Sequence, residues 1–456
     1  MARQLFGTDG IRGVAGEYPL DRKTVYAVGR ALGRWSNRHA VEGGGAEVVI
    51  GIDTRESGPW IARLLAAALA ETRVSTHYAG LITTPGVAYL TKTGPFAAGI
   101  MVSASHNPYQ DNGIKVFGHS GYKLPDVEEH AIEEMIFALL AEGIAESEQE
   151  LAVEGALDET YLEHLASTLP QGARVDGRAL RIVLDCGNGA ASQLAPALFR
   201  KLGAEVDARF VQPDGRNINL DCGALHVDSL ARIVRETGAD LGFAFDGDAD
   251  RCIAAGASGR VVDGDMMLMV CGRRMKVAGR LAAGDGTPTI VATVMSNLGL
   301  EKLCAREGIR LVRTPVGDKY VLEEMIRRGA HVGGEQSGHV IFHDHATTGD
   351  GMLTAIRVVE AVVESGQSLD ELTADFISFP QTLKKVQVRS KPSLEEIPSI
   401  ASEIEKAERE LGDEGRIVVR YSGTEPVARV MIEGPSQGVI EAHADRIINA
   451  IRAELG

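Results

Sequence analysis

The apolar run Ala97-Ala98-Gly99-Ile100-Met101-Val102 passes into Ser103-Ala104-Ser105-His106-Asn107-Pro108, and Asp111-Asn112-Gly113 then leads into Ile114-Lys115-Val116-Phe117. The order is strand, turn, strand, because Asn107-Pro108 and Asn112-Gly113 are both turn-forming dipeptides. Such a turn holds out two serine hydroxyls and an imidazole, with a lysine on the returning strand. A serine between an apolar strand and a proline-fixed turn suits a nucleophile or a phosphate acceptor. By itself the stretch also fits an ordinary polar hairpin turn, so its meaning depends on what else the chain brings to it.

Short apolar runs and helical segments alternate on either side. The pattern predicts a helix over Asp21 to Trp35 capped by Asp21, a strand over Glu47 to Ile52 and a helix over Pro59 to Glu71. A short strand over Ala79 to Ile82 ends at Thr83-Thr84-Pro85 and gives way to the serine stretch. A helix over Val127 to Ala141 follows, then an acidic linker beginning at Glu142 and a helix over Leu157 to Leu169. Strands over Leu180 to Asp185 and Leu241 to Phe245 enclose a helix over Ser229 to Thr237. A methionine-rich helix over Asp265 to Met275, whose stripe reads as core filling, precedes a strand over Thr289 to Val294 and a helix from Asp350 to Glu364. Alternation of this kind predicts parallel or mixed α/β sheets, with ligands beyond the carboxyl ends of the strands. The pattern changes after Phe376. Strands over Lys385 to Val388, Arg416 to Tyr421 and Ala428 to Ile432, with helices over Leu394 to Leu411 and Val439 to Leu455, read as an α+β unit. We therefore expect three similar α/β domains at 1–150, 151–255 and 256–375, and a distinct α+β domain at 376–456.

The length of 456 residues allows two to four domains at roughly 100–200 residues each. A net charge of −16 and only 5% aromatic residues argue against nucleic acid or an anionic membrane as partner. The five cysteines are widely spaced and odd in number, which points to reduced thiols and a cytoplasmic location. No signal core precedes Asp9, and no apolar run reaches the ~18 residues of a membrane span.

Three further loops carry chemistry. Asp246-Gly247-Asp248-Ala249-Asp250 follows a buried-type strand and places carboxylates at alternate positions, on one side of an extended segment. An all-carboxylate set suits a hard cation, Mg²⁺ or Mn²⁺. It is not an EF-hand, because Arg251 stands where that loop needs glycine and Ala257 where it needs glutamate. A serine phosphate beside three aspartates needs a divalent ion between them, so the serine turn and the aspartate loop explain each other. Gly333-Gly334-Glu335-Gln336-Ser337-Gly338-His339 suits the hydroxyls of a sugar. Arg420-Tyr421-Ser422-Gly423-Thr424-Glu425-Pro426, with Arg429 beyond, has the composition of a phosphate cradle but not the order of a nucleotide P-loop.

Together, and in this order, these motifs resemble the α-D-phosphohexomutase family along the whole chain. The resemblance implies three α/β domains and a mobile α+β lid around a central cleft. It implies that Ser105 is the phosphoserine and, with Asp246, Asp248 and Asp250, a ligand of one Mg²⁺ per subunit. Gly334, Glu335 and Ser337 would bind the sugar, while Arg420, Ser422, Gly423, Thr424 and Arg429 would hold the distal phosphate. Arg12 would bind the transferring phosphoryl group. Lys115 is the first candidate for general acid/base, in a charged site expected to lower its pKa, with His106 and His339 competing. Phe6-Gly7-Thr8-Asp9-Gly10-Ile11-Arg12-Gly13 and Ser422-Gly423-Thr424-Glu425-Pro426 look most like the bacterial members that act on glucosamine phosphates. Cys222-Gly223-Ala224-Leu225-His226 departs from them where Ser-Thr is expected before the histidine. The implied reaction is reversible interconversion of glucosamine 6-phosphate and glucosamine 1-phosphate by an intramolecular phosphotransferase. Glucosamine 1,6-bisphosphate would be intermediate and activator, and the product would feed UDP-N-acetylglucosamine and cell-wall precursor synthesis. A phosphomannomutase/phosphoglucomutase of the same fold and a non-catalytic sugar-phosphate-binding protein are the other readings. The oligomeric state, a homodimer included, stays open.

Overall fold

The computed structural model describes residues 5–7, 9–41, 45–422 and 426–456. In its first sheet, strand Glu47–Ile52 is flanked in parallel by Ser75–Leu81 and Ala98–Val102. Strand Asp111–Gly118 then returns antiparallel beside Ala98–Val102 and pairs on with Gly10–Val14. Two later sheets repeat the scheme. Arg181–Asp185 lies between parallel Glu205–Arg209 and Leu241–Phe245, and Cys252–Gly256 returns antiparallel. Thr289–Thr293 lies between parallel Arg310–Thr314 and Val332–Gly334, and Val340–Phe342 returns antiparallel. The chain thus forms three similar α/β domains. The last sheet is antiparallel throughout, in the order Gln381–Gln387, Val427–Glu433, Arg416–Tyr421, as an α+β domain requires.

One consequence of this topology positions the chemistry. The last parallel strand of each α/β sheet and its antiparallel return are joined by a short turn beyond the strand's carboxyl end. Those turns are 103–110, 246–251 and 335–339, the serine, aspartate and sugar-type loops. The stretch 422–426 likewise connects the antiparallel neighbours Arg416–Tyr421 and Val427–Glu433.

A continuous apolar core runs through the three α/β domains, taking in Met101 and Phe117, Phe243 and Phe245, then Met267, Ile290 and Met352. The methionine stripe fills this core, as expected. The last domain has its own core around Ile400, Val430 and Ile447. It meets the third domain through polar contacts. Arg416 donates from Nη1 to the Val294 carbonyl (2.8 Å) and from Nη2 to that of Ser296 (2.7 Å), and it pairs with buried Glu433 at 2.6 Å.

Two expectations change, and the acidic linker gains contacts. A helix over Thr84–Thr93 stands between the Thr83-Thr84-Pro85 strand end and the serine stretch, where no helix is expected from the sequence. Thr83 caps it by accepting the Gly86 N–H at 3.1 Å, and Pro85 sits in its first turn. In the last domain the helix begins only at Pro398, after a 3₁₀ turn over Leu394–Glu396, because proline suits a helix start and blocks continuation from upstream. The acidic segment after Glu142 is bound along the first domain. Glu148 pairs with Arg22 (2.6 Å) and Arg63 (2.7 Å), and the Glu154 N–H donates to the Tyr78 carbonyl. Among the described residues no helix is long and apolar enough to cross a membrane.

Candidate active site

Ser105 sits at φ 54°, in the left-handed region that a non-glycine residue occupies only when its surroundings impose it. What imposes it is Arg55, which is fully buried. Its Nη2 donates to the carbonyls of Ser105 and Asn107 (both 2.8 Å), its Nη1 to those of Asp111 (3.0 Å) and Pro108. Its Nε is paired with buried Asp53 at 2.8 Å. Asn219 adds a second donor to the Ser105 carbonyl at 2.9 Å. Ser103 Oγ accepts the Ser105 N–H (2.9 Å) and donates to Asp53 (2.6 Å), so it is spent on the turn. Ser105 Oγ instead faces the aspartate loop. It donates to Asp246 Oδ2 at 2.7 Å and lies 3.3 Å from His106 Nδ1.

The aspartate loop curls as its sequence suggests, with Ala249 also at positive φ. Asp246, Asp248 and Asp250 are buried and bring one carboxylate oxygen each to within 4.8 Å of the others. Thr84 Oγ1, at the start of the unforeseen helix, donates to Asp248 Oδ2 at 2.5 Å. Lys115 Nζ reaches Asp248 (2.8 Å), Asp9 (3.1 Å) and Asp250 (3.3 Å). Burial opposes its charge, but these three carboxylates outweigh burial and raise its pKa well above the lysine range. The expected lowering is therefore reversed: Lys115 is held as a cation. Burial together with Asp250 and Asp248 pushes Asp246 well above the usual carboxylate range. Asp248 Oδ1 and Asp250 Oδ1 are buried without a hydrogen-bond partner. Converging hard oxygen donors, two of them orphaned, fit a divalent cation such as Mg²⁺.

The two loops touch at Gly247. A Cβ there would run into the Ser105 carbonyl oxygen and stand 2.9 Å from Asn219 Nδ2. Gly247→Ala must separate the serine from the carboxylates, and displacement of that order costs about 100-fold in rate. Steady-state kcat of the variant checks this.

A cleft of about 480 Å³ opens beside these loops, lined among others by Asp9, Arg12, His106, Asp250, Arg251, Asp318, Glu335 and His339. Arg12 is tied to Asp9 and reaches the Ala104 carbonyl at 3.4 Å. Arg251 Nη1 lies 3.2 Å from His106 Nδ1. Arginine only donates, so this nitrogen accepts and the ring proton belongs on Nε2. Burial, Arg251 and Arg12 push the His106 pKa down to about 4, which leaves it neutral. His339 is buried with neither ring nitrogen hydrogen-bonded. Glu335 Oε1 accepts the Gly317 N–H at 3.1 Å, and Ser337 Oγ lies 3.5 Å from Glu335 Oε2. Gly334 is the last residue of its strand, paired with Val340.

Arg420 and Arg429 stand directly opposite in the last hairpin, and Arg429 Nη2 lies 3.4 Å from Ser422 Oγ. Burial and Arg429 lower the Arg420 pKa. Two facing guanidiniums beside a hydroxyl suit an anion. None of the three lines the cleft among the described residues. Gly423 and Thr424, expected in the same cradle, lie outside the described residues.

Four successive models of the phosphoglucomutase/phosphomannomutase family match the chain. Alpha/beta/alpha domain I covers residues 3–142, domain II 159–259, domain III 263–379 and the C-terminal domain 383–450. The chain belongs to the phosphoglucomutase/phosphomannomutase family. Phosphoglucosamine mutase of Solibacter usitatus is 56% identical to it, covering 100% of both chains. That of Koribacter versatilis is 53% identical, over 100% of this chain and 98% of its own. A phosphoglucomutase/phosphomannomutase family protein of Burkholderia thailandensis has the same fold, with a TM-score of 0.78 at 24% identity over 98% of this chain and 97% of its own. Aspergillus fumigatus N-acetylphosphoglucosamine mutase, solved with GlcNAc-6P and magnesium, matches with a TM-score of 0.64 at 18% identity over 99% and 96%.

Around the site of this phosphohexomutase stand further residues that the sequence motifs did not single out: Asp53, Arg55, Thr84, Lys123 and Asp318. Asp53 and Arg55 had a faint signal, as two charges directly after a strand that reads as buried. Lys123 had none. It bridges Asp9 (2.5 Å) in the first domain and Asp318 (2.7 Å) in the third, a pairing that exists only once the domains are assembled.

Proposed function

We propose that this chain interconverts glucosamine 6-phosphate and glucosamine 1-phosphate through phospho-Ser105 and a glucosamine 1,6-bisphosphate intermediate. The observation that carries the reading is the presentation of Ser105 Oγ at 2.7 Å from Asp246, beside a cleft lined by Arg12, His106 and His339. The amino sugar is favoured by full-length likeness to relatives named phosphoglucosamine mutase.

Asp246, Asp248, Asp250 and an oxygen on Ser105 would hold Mg²⁺, which neutralises charge on the transferring phosphoryl group. Arg12 and Arg251 line the same cleft and donate to phosphoryl oxygens. The Ser105 Oγ–P bond breaks as the sugar O1 bonds to phosphorus. The O1 proton goes to a cleft imidazole, His106 or His339, as a proton returns to the departing Ser105 Oγ. Lys115 contributes fixed positive charge rather than a base. The bisphosphate then reorients, and its 6-phosphoryl group returns to Ser105. Glu335 and Ser337 bind sugar hydroxyls. Arg420, Ser422 and Arg429, with Gly423 and Thr424, hold the phosphate that is not reacting. They reach it when the fourth domain, separate in core and polar at its seam, closes over the cleft. Such an enzyme works in the cytoplasm and supplies amino-sugar precursors.

The test is kcat/KM on glucosamine, glucose and mannose 6-phosphates with and without a chelator. We expect the amino sugar to be preferred by at least about 10-fold, the scale of one charge-assisted contact, and turnover to vanish on chelation. Equal rates on all three would overturn the amino-sugar assignment.

A further inference from the structure

An aminohexose carries an ammonium at C2 near neutral pH, where a primary amine beside electron-withdrawing carbons titrates at about 8. Such a group needs an anionic acceptor inside the cleft. Four carboxylates line it: Asp9, Asp250, Asp318 and Glu335. Asp9 is saturated, with Lys123 on Oδ1 and Lys115 and Arg12 on Oδ2. Asp250 faces Lys115 and belongs to the metal-type cluster. Glu335 receives the Gly317 N–H on Oε1 and faces the Ser337 hydroxyl with Oε2.

Asp318 differs from all three. Its Oδ2 accepts from Lys123 Nζ at 2.7 Å, while among the described residues no donor reaches its Oδ1. Its side chain is 20% exposed, and the residue lines the cleft. Lys123 is shared with Asp9, so Asp318 has only part of one counter-charge. The neighbouring His339 Nε2 stands 3.9 Å from Oδ2 without a hydrogen-bond partner of its own. Position agrees with this role. Asp318 opens the helix Asp318–Arg328, and the preceding Gly317 N–H is bonded to Glu335. The residue is thereby fixed next to the loop that binds sugar hydroxyls.

We propose that Asp318 is the specificity residue that accepts a hydrogen bond from the 2-ammonium group of the substrate and so selects an amino sugar over a neutral hexose phosphate. The inference rests on the amino-sugar reading above. Glucose 6-phosphate, with a hydroxyl at C2, forms no ion pair there and binds without the gain.

The full chain is compared as wild type, Asp318→Asn and Lys123→Met on glucosamine 6-phosphate and glucose 6-phosphate. Asp318→Asn should cut kcat/KM for the amino sugar about 10- to 100-fold, the size of a lost charge-assisted bond, chiefly through KM. Glucose 6-phosphate should change by less than about 3-fold. Lys123→Met, which disturbs the same bridge without touching substrate, should lower both substrates in parallel and keep the preference. Wild type preferring the amino sugar while Asp318→Asn lowers both substrates equally would leave Asp318 as a bridge residue only, and would overturn this inference alone. A wild type without preference would overturn it together with the substrate assignment. Thermal midpoints of both variants establish that the folded protein is being compared.

Discussion

Ser105→Ala should lose turnover by about 10⁴-fold or more while the folded structure persists. Removing a nucleophile that forms the covalent intermediate leaves only binding and electrostatic stabilisation, and losses of this order follow. The backbone has no reason to move. The φ of 54° is imposed from outside by Arg55 and Asn219 through the Ser105 carbonyl, and the N–H is held by Ser103 Oγ. None of these contacts uses the Ser105 hydroxyl. Deleting Oγ removes only its bond to Asp246 and its approach to His106. A thermal midpoint within a few degrees of wild type is therefore expected, together with loss of a ~80 Da phosphoryl adduct in intact-mass spectra after incubation with a sugar bisphosphate. Retention of that adduct in the alanine variant would show that another residue is the acceptor. Ser103→Ala makes a useful contrast, because Ser103 supports the turn and should lower the rate without abolishing the adduct.

Arg55→Ala should be the most destabilising single change in the first domain, by about 4 kcal/mol or more. Removing one partner of a buried ion pair costs about 3–5 kcal/mol, because the other charge is left uncompensated. Here that charge is the Asp53 carboxylate, buried and bonded otherwise, among the described residues, only to Ser103 Oγ and the Arg55 N–H. Four backbone carbonyls of the serine turn lose the Arg55 donor at the same time, and Asn219 alone continues to hold the Ser105 carbonyl. Without them the left-handed conformation at Ser105 relaxes, so activity falls with stability. Arg55→Lys should not rescue, because one ammonium cannot replace the planar fork that reaches Asp53 and four carbonyls together. The checks are denaturant unfolding and kcat on the soluble fraction. Near-wild-type values for both would refute this account of the turn.

Legibility of the site followed chain distance. The Ser105 turn, the Asp246–Asp250 loop and the Glu335 loop each announce themselves within a few residues, as apolar strands ending in clustered polar groups. The helix capped by Asp21 was equally readable, since Asp21 Oδ1 accepts the Thr24 N–H at 3.1 Å and the helix begins at Arg22. The Thr84–Thr93 helix carried the proper signal, Thr83 followed by Pro85, but read as the end of the preceding strand. Lys115 was correctly placed near the serine and wrongly assigned a lowered pKa. Its charge state depends on Asp248 and Asp250, more than 130 residues away in the chain.

By itself, then, the sequence determined the three α/β sheets, the α+β unit after them, and the identity of the loops that carry serine, carboxylates and sugar-type groups. Local hydrophobic periodicity and turn chemistry suffice for that. The family resemblance had already singled out Ser105; only the tertiary structure decided that Arg55 and Asp53 hold it against the carboxylates, and that Asp318 stands in the cleft with one carboxylate oxygen that no donor among the described residues reaches. Those outcomes are made by bonds between residues tens to hundreds of positions apart. They depend on the register and packing of whole domains, which no local pattern encodes.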